Sequence, residues 1–111
     1  MQIQVRHDNT IQGSQQLTET TVATVEGVLD RHAAHITTVE VHYADENGPK
    51  GGGDDVRCSI EVRFEGMKPI GVTDHAGELY AALEGAAEKV ARMLDHHLGR
   101  LRDQMQHNAP K

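Results

Sequence analysis

The residues from Val56 to Phe64 alternate without a break. Val56, Cys58, Ile60, Val62 and Phe64 fall on one side, and Arg57, Ser59, Glu61 and Arg63 on the other. Successive side chains of a strand point to opposite faces, so this segment belongs in a sheet with one face packed and one face wet. Gln2 to His7 repeats the pattern, with Ile3, Val5 and His7 opposing Gln2, Gln4 and Arg6. Ile36 to Ala44 repeats it again, with Val39, Val41 and Tyr43 inward and Thr38, Glu40 and His42 outward. Pro69 to Thr73 gives a short last strand, whose proline suits a strand's first residue or an edge. A sheet of such strands is covered on one side only.

What covers it is read from two segments of helical period. From Gln15 to about His32, Leu17, Thr21, Val25, Val28 and Leu29 share one side, and Glu19, Ala23, Glu26, Asp30 and Arg31 the other. Thr20, Thr21, Val22, Thr24 and Val25 are β-branched, which lowers helix propensity, so packing must hold this helix. Gly13-Ser14 offers an N-cap after the turn residues Asp8-Asn9-Thr10. A second helix is expected from Asp74, as its cap, to about Gln104. Leu83, Ala86, Ala87, Val90, Leu94 and Leu101 form its apolar stripe, and Ala81, Ala82, Ala86 and Ala87 allow close approach to a sheet. Asp45 to Asp55 is charged, Gly-rich and without an apolar anchor, and reads as a long hairpin loop. The expected architecture is α+β, in the order β-α-β-β-β-α. It is a four-stranded, mostly antiparallel sheet with both helices on one face. Residues 1–104 form a single domain, and 105–111 a frayed C-terminal tail.

The totals narrow the function. At 111 residues there is room for one domain and one modest core, which the three aromatics Tyr43, Phe64 and Tyr80 leave mostly aliphatic. No apolar run approaches the ~18 residues that span a bilayer, and the N-terminus lacks the layout of a signal peptide. With a single cysteine, Cys58, no internal disulfide forms. A reducing, cytoplasmic compartment is expected, with no membrane partner. Acidic residues outnumber basic ones, 17 to 11, so any nucleic-acid contact must come from locally clustered Lys and Arg.

Catalytic patterns are weak. Cys58 alternates inward with Val56 and Ile60, as a small buried thiol does, and neither Ser14 nor Ser59 lies in a nucleophile elbow. Gly48-Pro49-Lys50-Gly51-Gly52-Gly53 lacks the Gly-Lys-Ser/Thr ending of a phosphate loop. Among the eight histidines, adjacent His96 and His97 diverge by ~100° on a helix, His32 and His35 straddle a helix end, and no zinc signature occurs. Neither a metal, a cofactor nor a small-molecule substrate is expected, and the chain reads as a binder rather than an enzyme. The informative pattern is on the second helix. Lys89, Arg92, His96 and Arg100 recur at spacings of three, four and four, opposite the apolar stripe. Arg102 adds to them, whereas Glu78, Glu84 and Glu88 sit in the helix's first half. Such segregation concentrates positive charge where a phosphate backbone could be met.

The run Glu78-Leu79-Tyr80-Ala81-Ala82-Leu83-Glu84-Gly85, continuing to Lys89-Val90-Ala91-Arg92-Met93-Leu94, resembles the ribosome hibernation promoting factor and ribosome-associated inhibitor family, also called sigma modulation proteins. Tyr80, Ala81, Ala82, Lys89, Arg92 and Leu94 match its hallmark, and Leu83, Glu84 and Val90 are conservative variants. The element order extends the likeness over nearly the whole chain. The resemblance implies a fold akin to double-stranded-RNA-binding domains, in a short form without the C-terminal dimerisation domain of long members. It also implies binding to the small ribosomal subunit through ribosomal RNA, with messenger and transfer RNA blocked. The implied RNA contacts are Lys89, Arg92, Arg100 and Arg102. His96 and Leu98 stand where the family has lysines, Asp95 adds an acid, and the first helix has no Lys or Arg before Arg31.

A different class of function fits the same fold: a protein-binding or stress-adaptor module without RNA binding. It would use the exposed sheet face (Glu40, His42, Arg57, Glu61, Arg63) or the acidic first helix. The outer surface of the second helix discriminates the two. Continuous positive charge favours RNA, and interruption by Glu88, Asp95 and Asp103 favours the adaptor.

Overall fold

In a computed structural model of the chain, β1 (Gln2–His7) runs parallel to β2 (Ile36–Asp45), with α1 (Gln15–Leu29) making the crossover. β3 (Val56–Phe64) and β4 (Met67–Ala76) follow as antiparallel neighbours, and α2 (Leu79–His107) closes the chain. The structure describes the backbone of residues 1–8, 11, 13–45 and 56–107, and the side chains of that set up to residue 97. Most of the expected Asp45 to Asp55 loop, together with Asn9 and Thr10, lies outside the described residues.

The sheet order is β1-β2-β3-β4, so the alternation of each strand is carried across it in register. Ile3 faces Val39, Val39 faces Val62, and Val62 faces Ile70. Both helices cover that apolar face. Leu17, Val25 and Leu29 of α1 and Leu83, Ala86, Ala87, Val90 and Leu94 of α2 share one core with Val41, Tyr43, Cys58 and Ile60. Pro69 falls near the start of β4, an edge strand, the setting in which a sheet tolerates proline. Gly66 makes the β3–β4 turn at φ 75°, a left-handed backbone that residues with a Cβ avoid.

Local capping chemistry sets the helix starts. Ser14 is extended, and its Oγ accepts from the Leu17 N–H at 3.0 Å. Once capped, α1 is held by burial of Leu17, Thr21, Val25 and Leu29 despite its β-branched run. Its end is earlier than the periodicity suggests. After Leu29 the chain tightens into a 3-10 turn, Asp30–His35, which brings Ile36 back to the core as the first residue of β2.

Asp74 does not cap α2. Pairing of β4 with β3 continues through Ala76, so Asp74 stands opposite Cys58 inside a strand. Glu78 takes the role instead: its Oε1 accepts from the Tyr80 N–H at 2.9 Å, and its carbonyl from the Ala82 N–H at 3.1 Å. A carboxylate there also faces the positive end of the helix dipole. Ala82, Ala86 and Ala87 are buried as their size suggests, but Ala81 is exposed. His7 is exposed too, because β1 has reached its end. The helical backbone continues to His107, past the expected limit near Gln104 and into the segment read as a tail.

Candidate nucleic-acid interface

Burial of the Leu83–Leu94 stripe fixes which side of α2 faces water. Arg92, Met93, His96 and His97 are all exposed on it, as are Glu84 and Glu88. Arg92 makes no ion pair among the described residues. His96 stands one turn further along. The side chains of Arg100 and Arg102 lie outside the described residues, although the helical backbone carrying them is described.

Lys89 has a different environment from the rest of the stripe. Its Nζ reaches back to the sheet edge and donates to the Thr73 carbonyl at 3.0 Å and to Asp74 Oδ1 at 2.9 Å. Gly85, one turn earlier on α2, makes the contact possible, since a Cβ there would overlap the Asp74 carboxylate. The Lys89 hydrogen bond holds the Asp74 carboxyl below its ordinary range, despite the opposing effect of partial burial. Lys89 is nonetheless exposed, as its place opposite the apolar stripe suggests.

Asp95, the acid that breaks the basic stripe, is also occupied. Arg31 Nη2 donates to Oδ1 at 2.9 Å and to Oδ2 at 2.8 Å, and His32 Nε2 lies 2.8 Å from Oδ1. A carboxylate only accepts, so Nε2 carries the proton in this contact. These bonds, His32 first and Arg31 with it, hold the Asp95 carboxyl below its ordinary range. Arg31 and His32 escaped the sequence reading as partners because 64 and 63 positions separate them from Asp95.

On the open sheet face the charges pair with one another. Arg6 meets Glu40 at 3.8 Å, Arg63 meets Glu61 at 2.9 Å, and His42 meets Asp8 at 2.9 Å. Glu40 and Glu61 stand directly opposite each other, with Gly71 beside Glu61, above a shallow depression. Cys58 is fully buried, and burial pushes its thiol from 9.0 up to about 12, which keeps it protonated and unreactive. Among the described residues, no three His, Cys, Asp or Glu side chains converge on a point that could hold a metal ion.

Over residues 2–102 the chain matches the family model described as Sigma 54 modulation protein / S30EA ribosomal protein. The chain belongs to this family. The S30EA proteins are ribosome-associated hibernation and modulation factors. Two solved structures carry the same fold. The N-terminal domain of Thermus thermophilus Protein Y superposes with a TM-score of 0.70 at 16% identity, covering 87% of this chain and 99% of that one. A ribosomal subunit interface protein from Coxiella burnetii gives 0.68 at 16% identity, covering 89% and 99%. No curated protein sequence matches the chain. Within the S30EA fold, α2 is thus the element whose motif residues and exposed cations coincide. No described helix is long and apolar enough to cross a membrane.

Proposed function

We propose that this protein binds the small ribosomal subunit through ribosomal RNA and acts by occupancy, blocking messenger and transfer RNA without turnover. The observation that carries the reading is the outer surface of α2. It presents Arg92, unpaired among the described residues, and exposed His96 beside Lys89, with Arg100 and Arg102 following on the same helix. Membership of a ribosome-associated family supplies the partner class.

Lys89 is compatible with this role although it is paired. Its contact with Asp74 joins side chains that are 44% and 26% exposed. Exposed ion pairs are worth about 0–1 kcal/mol, so a phosphate group displaces Asp74 at little cost. Asp95 does not oppose the phosphate as a free charge, because Arg31 matches it.

Co-sedimentation with purified small ribosomal subunits tests the reading. The wild-type chain should pellet at low salt and be released as salt rises, since phosphate contacts release counterions. Lys89→Glu combined with Arg92→Glu should abolish pelleting while leaving the circular dichroism spectrum unchanged. Pelleting by the double variant equal to wild type would remove α2 as the contact surface. A second reading, a protein-binding module, draws on the pairing of Lys89 with Asp74 and Thr73 in the free molecule. It gains the lead if wild-type protein fails to pellet at any salt concentration.

A further inference from the structure

The two borders of the described sheet are finished differently. Along β4, Pro69 removes a backbone donor, the pairing with β3 is irregular beside it, and Lys89 covers the Thr73 carbonyl. Proline, bulges and lysine are the devices by which edge strands turn other strands away. α2 also packs over this border, so Ile70 and Val72 are each only 9% exposed. β1 has none of these features. It contains neither proline nor lysine, its register with β2 is unbroken, and Arg6 lies 3.8 Å from Glu40. Ile3 and Val5 stay half-buried at the margin, although Val39 and Val41 beside them are fully buried. The backbone at this border is also open to pairing. The Asp8 N–H donates to the Tyr43 carbonyl at 3.1 Å, toward β2. Backbone groups of a strand turn to alternate sides, so the N–H and C=O of Ile3 and Val5 point out of the sheet.

We infer that the outer border of β1 is a contact between two copies of this chain, their β1 strands pairing antiparallel about a two-fold axis at Gln4. A two-fold contact requires a surface that matches itself, and β1 does so about this residue. Ile3 meets Val5 of the second copy on the packed face, and the symmetry repeats the match. On the open face Gln4 meets its own copy and Gln2 meets Arg6, so the two arginines stand clear of each other. Ile3 and Val5, whose backbone groups point outward, become the hydrogen-bonded pairs, and Gln4 lies in the closer, non-hydrogen-bonded pair between them. An axis at Val5 would instead set Ile3 against the exposed His7, and a slip by one residue would set apolar side chains against the polar face. The contact is short beside a standard interface of about 20–30 residues a side, so association is weak and grows with concentration. It does not depend on the reading of α2, which packs over β3 and β4 at the far side of the sheet.

Sedimentation velocity of the full chain at concentrations up to ~1 mM tests this. The wild-type sedimentation coefficient should rise with concentration. Gln4→Lys and Gln4→Glu should each abolish the rise, because like charges meet across the axis, and an equimolar mixture of the two should recover it. Circular dichroism should match wild type for both variants. A wild-type coefficient that stays monomeric throughout would overturn the contact, as would variants that associate like wild type or a mixture that recovers nothing. Cysteine trapping checks the register without introducing charge. Gln4→Cys should give a disulfide-linked dimer with a chemical oxidant, since its copies are direct neighbours. Gln2→Cys should not, since its copies lie four residues apart along the strands, ~14 Å. Equal linking by the two would overturn the axis at Gln4.

Discussion

Tyr43 is among the largest fully buried side chains, and its hydroxyl has one destination. Thr21 Oγ1 donates its only hydrogen to the Leu17 carbonyl at 2.7 Å, so across the 2.6 Å contact the Tyr43 O–H must be the donor. The bond ties β2 to α1 inside the core, and it also engages Thr21, the one buried polar side chain among the described residues besides Tyr43 itself. Tyr43→Phe removes it and leaves Thr21 still bonded to its own helix. The expected loss is about 1 kcal/mol, seen as a lower urea midpoint at unchanged slope. No loss would mean that the hydroxyl pair contributes nothing net. Alternation along β2 was enough to place Tyr43 inward. Its partner was not legible, because Thr21 lies 22 positions away and reads on its own as a poor helix former.

At the scale of elements, periodicity revealed what exists and which side is buried, but not where elements stop or what bridges them. β3 was legible to the residue because nine positions alternate unbroken. β4 was read as too short because Asp74 suggested a helix cap when isolated from its context. Only the register opposite Cys58 reveals it as a strand residue facing α2. The candidate site suffered in the same way. Its stripe was visible from spacing, whereas the pairings of Lys89 with Asp74 and of Asp95 with Arg31 depend on how helices meet the sheet and each other. Two glycines separate these influences. Gly27 lies exposed in α1 with open space where a Cβ would go, so Gly27→Ala should stabilise by ~0.5–1 kcal/mol through helix propensity. Gly85→Ala makes the same propensity gain but drives the Asp74 carboxylate off Lys89. It should fall clearly short of the Gly27→Ala gain in thermal denaturation, and the Asp74 carboxyl should return toward its ordinary range in an NMR titration. Equal gains at the two sites would show that the notch does no work.

Taken whole, the molecule should be more sensitive to base than to acid. Burial raises the Tyr43 hydroxyl and lifts the Cys58 thiol from 9.0 to about 12. Groups raised in the folded state contribute stability that is complete below their unfolded values and is lost as pH climbs through the folded ones. Denaturant midpoints should therefore hold steady to about pH 9 and then fall. A midpoint that stayed level at higher pH would mean the two groups titrate as freely folded as unfolded. On the acid side, Asp74 and Asp95 are lowered, so their contribution is present above the ordinary carboxylate range and fades as pH falls. Exposed pairs make that fading shallow. The lysine contact at β4 carries one more consequence for a molecule living among many copies of itself. β4 is a ten-residue outer strand, the kind of border along which identical chains zip together. Lys89 lays a hydrated charge over its Thr73 carbonyl and denies that group to an incoming strand. Whatever draws Lys89 away therefore also uncovers the Thr73 carbonyl on that border, so binding and protection of the strand edge share one side chain.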